Sequence, residues 1–145
     1  VVVENSNNWF MLKNKSIKFL LIGLSLLMIG YIIIDSTSQP STADLDGNFK
    51  EVAHYRNENN TGPILRIYAV TVQGTPWEAM EKYGNMMPYN KYGSTTVYFF
   101  NENNQAPTSL VPSKPNFDAR FKPSCLASYT KDANGQVSFR KKPFQ

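Results

Sequence analysis

An uninterrupted apolar run near the N-terminus constrains this chain more than any other feature. The run begins at Phe19, ends at Ile34 and reads FLLIGLSLLMIGYIII, sixteen residues without a charge. A helix of that length covers about 24 Å, slightly less than the hydrocarbon layer of a membrane, which is about 30 Å thick. Ile17 and the aliphatic stem of Lys18 can extend the apolar stretch. We therefore expect a transmembrane helix over residues 19–34.

Charged residues on the two sides of the run predict its orientation. Three lysines precede the run, and three aspartates follow it. Because basic segments remain on the cytoplasmic side, we expect residues 1–18 to form a cytoplasmic or disordered tail and the C-terminal part to lie outside the cytoplasm. The six charged residues are Lys13, Lys15, Lys18, Asp35, Asp44 and Asp46.

The main alternative to a membrane anchor is a cleavable signal peptide, which would make the protein secreted. Signal peptides share the basic start, but their apolar segment usually has about 7–15 residues and ends at a small-residue cleavage site such as A-x-A. The run here is at or beyond the long end, and only weak substitutes for such a site follow, at residues 36–38 and 41–43. A buried helix of a soluble protein is less favoured, because the segment has no polar face. The sequence therefore favours an uncleaved anchor.

The first ten residues fit neither kind of segment well. Residues 5–8 are polar, and Trp9 and Phe10 follow them. Met11, followed by LKNKSIK, is typical of the start of a targeted chain. Residues 1–10 are therefore either an extension upstream of the natural start or a short cytoplasmic tail.

Composition divides the rest of the chain into a linker and one domain. Residues 35–48 are rich in Ser, Thr, Asp, Gly and Pro, which is typical of a linker. Residues 49–145 are enough for one small domain, and they carry twelve Lys and Arg against seven Asp and Glu, a net charge of +5. The cations do not follow a nucleic-acid-binding motif, so we expect no nucleic-acid partner. The single cysteine, Cys125, cannot form an internal disulfide, although it could pair with another chain.

Five segments of the domain have the composition of β-strands. The second, ILRIYAVTV, is rich in β-branched and aromatic residues, and the third, TTVYFFN, is apolar on both faces, which is typical of a central strand. Asn134 and Gly135 predict a hairpin between the last two segments. The predicted strands cover residues 49–57, 64–72, 95–101, 125–130 and 136–141.

One helix is predicted between the second and third strands. Thr75 occupies the position of an N-cap, with Pro76 after it and Glu78 three residues along, the pattern of a capping box. Pro88 ends the predicted helix near residue 87. Its apolar positions recur at helical spacing and predict a face buried against the sheet. These positions are Trp77, Met80, Gly84 and Met87.

The element order predicts an α+β domain. Two strands, a helix and three strands, joined largely by hairpins, indicate a small antiparallel sheet with one helix packed on one face, preceded by the single N-terminal transmembrane or signal helix. Residues 102–122 contain several prolines and predict a long irregular loop with a short helical turn around residues 116–121. Long ordered loops are often functional.

The sequence offers little catalytic chemistry. His54, the only histidine, and Cys125 could form a thiol–imidazole pair if the fold brought them together. The alternation of residues within the strands predicts that Cys125, Ala127 and Tyr129 share a packed face that His54 does not reach, so we expect neither residue to be catalytic. One cysteine and one histidine are too few for a zinc site, and no phosphate-binding or hydrolase motif is present. We expect no metal and no cofactor.

Residues 89–92 form the candidate binding surface. Tyr89 and Tyr92 belong to no strand pattern, and they lie beside Asn90 and Lys91. Exposed tyrosines provide contact area at a low cost in entropy, so this loop could contact a protein partner. The alternative is that both tyrosines are partly buried and close the edge of the sheet.

Three classes of function remain open from the sequence. The leading hypothesis is a single-pass membrane protein that displays a small binding domain outside the cytoplasm. The first rival is a small secreted or anchored hydrolase that uses Cys125 and His54. The second is an accessory subunit of a membrane complex, in which the small residues Gly23, Ser25 and Gly30 would form a helix-packing face.

Overall fold

The computed structural model describes residues 15–37 and 41–145. The chain divides into two units, the first containing a single helix and the second formed by Ser41–Gln145. The two interpretations of residues 1–10 therefore lie outside the described residues.

The first unit contains helix α1, Lys15–Thr37. Its 23 residues extend beyond both ends of the predicted segment. None of its side chains is buried, and large apolar residues such as Leu20 and Leu27 are 67% and 73% exposed. The helix is long and apolar enough to cross a membrane, a property that signal sequences share. A single helix over the apolar run, as the sequence predicts, is thus confirmed.

The second unit is a five-stranded sheet. Its strands are β1 Lys50–Arg56, β2 Ile64–Val72, β3 Gly93–Asn101, β4 Cys125–Lys131 and β5 Val137–Lys141. They lie side by side in the order β1-β2-β3-β4-β5. Helix α2, Trp77–Met86, lies between β2 and β3 in the chain. Two short 3-10 helices, Thr42–Asp44 and Ala119–Ser124, complete the regular structure of the described residues.

The α+β class is confirmed, but the sheet is mixed rather than wholly antiparallel. Strands β1 and β2, β3 and β4, and β4 and β5 pair antiparallel. Strands β2 and β3 pair parallel, with Tyr68 opposite Val97. The reason is that α2 connects them: a helix that crosses the sheet returns the chain to the end where β2 began, so β3 must run in the same direction.

Each face of the sheet carries an apolar cluster, and β3 supplies both. Val97 and Phe99 point to one face, whereas Tyr98 and Phe100 point to the other, which confirms β3 as a central strand. The α2-side cluster consists of Val70, Val72, Met80, Tyr83, Val97, Phe99, Ala127 and Tyr129. The loop-side cluster, named for residues 102–118 of the long loop, consists of Ile67, Ala69, Tyr98, Phe100, Leu110, Phe117, Phe121 and Cys125.

Helix α2 packs on the sheet as predicted but does not begin as predicted. Met80 is fully buried, and Trp77 packs against the same cluster, so the apolar face is confirmed. The N-cap position is taken by Pro76, which has no side chain to accept a hydrogen bond. The capping box at Thr75 is therefore wrong: Thr75 lies one residue before the N-cap. The stabilisation of about 0.5–2 kcal/mol that such a cap contributes is not expected from this threonine.

The second unit begins within the segment predicted as a linker. Ser41 accepts a hydrogen bond from Ala43 N at 3.3 Å and donates its own N–H to Asp44 at 2.8 Å. Leu45 packs against the α2-side cluster. Residues 41–48 are thus joined to the sheet.

Candidate functional site

The tyrosine loop predicted as a binding surface is partly fastened to the sheet. The Tyr89 hydroxyl donates to the carbonyl oxygen of Ala133 at 3.0 Å, and the Lys131 ammonium lies 4.5 Å from the centre of the Tyr89 ring. The side chain of Asn90 accepts a hydrogen bond from the Tyr92 N–H at 2.8 Å. Tyr89 therefore holds the loop against the β4–β5 turn, whereas Asn90 stabilises the loop internally.

Tyr92 and Lys91 are exposed residues of this loop. Tyr92 is 67% exposed, and the Lys91 ammonium lies 5.0 Å from the centre of its ring. A binding role for this pair remains a prediction. Tyr89 is also exposed, at 37%, although its hydroxyl bonds to the β4–β5 turn.

A bulge in β4 changes the environment predicted for Cys125. Phe99 lies opposite Ala127, but the next residue, Phe100, lies opposite Cys125, so Leu126 is an additional residue in β4. An added residue reverses the alternation of side chains. Cys125 consequently belongs to the loop-side cluster, whereas Ala127 and Tyr129 belong to the α2-side cluster. The prediction that all three share a face is wrong for Cys125.

Cys125 and His54 lie on opposite faces of the sheet. His54 pairs with Tyr68, whose ring packs on the α2-side cluster, and its Nδ1 lies 2.9 Å from the Glu51 carboxylate in solvent. The Cys125 thiol is buried, and it donates to the Ala127 carbonyl at 3.4 Å. Burial raises the pKa of Cys125 to about 12. The hydrolase hypothesis would need these two groups side by side.

We expect Cys125 to react slowly with alkylating reagents at neutral pH, because a reactive cysteine needs a thiolate and access to solvent. With a pKa of about 12, the thiol stays protonated near pH 7. The measurement is the rate of iodoacetamide modification of the native chain compared with the chain in denaturant. His54→Ala should leave the native rate unchanged. Rapid native modification that His54→Ala slows would contradict this assignment.

The sequence did not reveal a polar groove on the loop side of the sheet, which we call the hydroxyl groove. Its volume is about 300 Å³, at the lower end of the range for small-molecule sites. The floor comes from β3, β4 and β5, and the walls come from the long loop and the C-terminal residues. The lining residues are Tyr98, Lys114, Ser128, Thr130, Ser138, Arg140, Pro143 and Phe144.

Strand register explains why hydroxyl groups collect on this floor. Ser128 lies opposite Arg140, and Thr130 lies opposite Ser138, on alternate positions of two antiparallel strands. Outside the lining, Thr96 of the next strand supports Thr130, since the two hydroxyl oxygens lie 3.4 Å apart. Alternate residues of a strand share a face. The floor therefore presents side chains that both donate and accept hydrogen bonds.

Both charged residues that line the hydroxyl groove are cations. Lys114 and Arg140 are exposed, and the lining contains no carboxylate. The ion pairs found among residues 15–37 and 41–145 involve other side chains, namely His54 with Glu51 and Arg120 with Asp118. The two cations of the groove are therefore available to an anion.

An aromatic wall closes one side of the groove and is held in place from behind. The Phe144 ring lies 6.2 Å from that of Tyr98 and 5.6 Å from that of Phe117. The Tyr98 hydroxyl donates to Asn116 at 2.8 Å, and Asn116 in turn donates to the carbonyl oxygen of Val111 at 3.0 Å. Burial raises the pKa of Tyr98 to about 12, so its hydroxyl remains a donor at neutral pH. This network fixes the long loop beside the groove.

In the described part of the chain, no group of three or more His, Cys, Asp and Glu side chains could hold a metal ion. Comparison with family models, with curated proteins and with solved structures gives no match. The function must therefore be inferred from the chemistry of the surfaces described above.

Proposed function

We propose that this chain is a single-pass membrane protein that displays a small binding domain outside the cytoplasm. The observation that carries the proposal is α1, which contains the uncharged run of residues 19–34 and includes no buried side chain. A helix that is apolar all round needs an apolar environment, and a lipid bilayer provides one. The three lysines before the apolar run favour a cytoplasmic N-terminus.

Binding, rather than catalysis by Cys125 and His54, is the role that the second unit supports. The thiol is buried on the loop side, whereas His54 is exposed on the α2 side. The hydroxyl groove, in contrast, is open to solvent and carries two unpaired cations. We therefore propose the groove as the principal binding site, and the pair of Lys91 and Tyr92 as a possible contact for a protein partner.

The accessory-subunit hypothesis retains one supporting observation. Gly23 and Gly30 line a shallow apolar groove on α1, and small residues allow helices to approach closely. Ser25, the third small residue of the predicted packing face, instead donates its hydroxyl to the Leu21 carbonyl at 2.9 Å within the helix. A packing role for α1 is compatible with an anchored binding domain.

Cysteine labelling in intact cells tests which side of the membrane holds the second unit. Ser109 is exposed in the long loop, and Asn14 precedes α1 in the sequence. We expect Ser109→Cys to react with a membrane-impermeant maleimide in intact cells and Asn14→Cys to react only after lysis. The parent chain is the matched control, because its buried Cys125 should stay unlabelled in both conditions.

The opposite labelling pattern would overturn the proposal. If Ser109→Cys reacts only after lysis, the second unit faces the cytoplasm. If the protein is found in the medium without residue 14, so that only Ser109→Cys can be labelled, the chain is secreted after cleavage rather than anchored.

A further inference from the structure

We propose that the hydroxyl groove binds an acidic sugar unit of a cell-surface polysaccharide. This inference rests on the proposed function, because such polymers lie outside the cytoplasm. Four properties of the groove define the ligand: its charge, its hydroxyl floor, its aromatic wall and its position at the edge of the sheet.

Charge requires the ligand to be an anion. Lys114 and Arg140 approach the groove from the long loop and from β5, and the lining holds no carboxylate to neutralise them. A guanidinium group binds a carboxylate or phosphate through two parallel hydrogen bonds, whereas an ammonium group acts as a point charge. Both cations therefore lie at one groove, where they attract an anionic ligand.

The hydroxyl floor selects against a bare anion. Ser128, Thr130 and Ser138 lie on neighbouring strands, and each hydroxyl can donate one hydrogen bond and accept others. An anion without protons, such as sulfate, offers acceptors alone. A sugar offers both donors and acceptors, so it can satisfy the floor where sulfate cannot.

The aromatic wall of the groove and its position at the edge of the sheet are suited to a single sugar unit within a polymer. Phe144 and Pro143 give the groove an apolar side, which suits the C–H face of a sugar ring. The volume of about 300 Å³ accommodates one ring rather than several. Strand β5 is the last of the sheet, so the groove opens at the sheet edge, where a polysaccharide can continue in both directions.

Calorimetric titration of the full chain in detergent micelles tests the proposal with trigalacturonic acid as the probe. Maltotriose serves as the neutral sugar, and sulfate serves as the anion without donors. We expect trigalacturonic acid to bind, maltotriose to bind at least about 10-fold more weakly, and sulfate to bind more weakly than the acidic sugar. The 10-fold difference in affinity between the two sugars is the effect expected from the loss of one charge-assisted hydrogen bond.

Three variants connect the binding to the groove. Arg140→Gln and Lys114→Gln should each weaken the binding of trigalacturonic acid about 10- to 100-fold. Lys141→Gln is the matched control, because it removes the same charge from the neighbouring residue on the opposite face of β5, where Lys141 lies over Trp77. Ser138→Trp should abolish binding without a change in charge, since it fills the groove from an exposed position.

Four results would overturn the proposal: no binding of trigalacturonic acid, equal binding of maltotriose, sulfate bound as tightly as the acidic sugar, or equal weakening by Lys141→Gln and Arg140→Gln. Circular dichroism of each variant confirms that the sheet is folded. Because the titration uses purified protein, its outcome does not depend on membrane orientation. Failure of the titration with correct labelling of Ser109→Cys would reject the ligand and leave the anchored domain in place.

Discussion

Phe99→Ala is expected to lower the free energy of unfolding of the second unit by about 3–5 kcal/mol, the usual cost of removing a buried phenylalanine side chain. Phe99 lies on the central strand and has no exposed surface. Its ring makes edge-on contacts with Phe49 at 6.1 Å and with Tyr83 at 5.9 Å. The substitution therefore leaves a cavity between the sheet and α2. Since small domains have a total stability of about 5–15 kcal/mol, the loss is a large fraction of it.

Urea unfolding of the full chain in detergent micelles measures this loss. Fluorescence of Trp77 in a Trp9→Phe background reports on the α2 side of the sheet, where Trp77 packs. Phe139→Ala is the matched control, because it deletes the same side chain from a half-buried position on the edge strand β5. Phe139→Ala should lower the free energy of unfolding by clearly less than Phe99→Ala does. Equal losses in the two variants would show that Phe99 is not at the centre of the core.

Gly84→Ala is expected to destabilise the second unit by about 2 kcal/mol, although alanine favours helices by about 1 kcal/mol over glycine. Gly84 is buried on the face of α2 that meets β4. A Cβ atom at this position would overlap the ring of Tyr129. That ring is fully buried, and its hydroxyl donates to Asn85 at 2.8 Å, so it has no room to move aside. The absence of a side chain at Gly84 allows α2 to approach the sheet.

A double-substitution cycle separates this overlap from other effects. Tyr129→Leu removes the ring that the new Cβ would meet, so the cost of Gly84→Ala should fall markedly in that background. The same urea measurement applies to all four chains. A gain in stability for Gly84→Ala in the native background, as at an unhindered helix position, would show that α2 does not pack as described.

Strand positions could be read from the sequence because they depend on local composition. Strand β2 was predicted with the bounds that the structure has, Ile64–Val72, and the apolar residues of β3 on both faces identified a central strand. The Asn134-Gly135 turn correctly joined β4 and β5. These features arise from neighbouring residues, so short-range patterns suffice to find them.

The parallel pair and the bulge were missed for two different reasons. A strand, a helix and a strand in succession are the pattern of a parallel crossover, and the hairpin signals elsewhere in the chain outweighed it. The bulge adds one residue, Leu126, to a strand whose side chains otherwise alternate between the two faces. No pattern in the sequence predicts this additional residue. Its consequence is that Cys125 faces away from Ala127. At α2, Pro76 took the cap position predicted for Thr75.

The hydroxyl groove could not be predicted because its residues come together only in the folded sheet. Ser128 and Arg140 are cross-strand partners, whereas Lys114 and Phe144 come from a long loop and from the last residues of the chain. One signal was present: small hydroxyl residues alternate at 128 and 130 on β4, and polar residues alternate at 138 and 140 on β5. Such alternation predicts that one face of the sheet is polar. It does not predict the loop and C-terminal residues that form a groove over that face.

The mass of the chain recovered from membranes tests most directly whether α1 remains as the anchor. The full chain, carrying a C-terminal affinity tag, is expressed in cells, the membranes are washed with alkaline carbonate, and the tagged protein is analysed intact. We expect the tagged protein in the washed membranes, with a mass that includes Lys15–Thr37. A shorter protein that begins after α1 and is found in the soluble or secreted fraction would contradict the membrane-anchored domain.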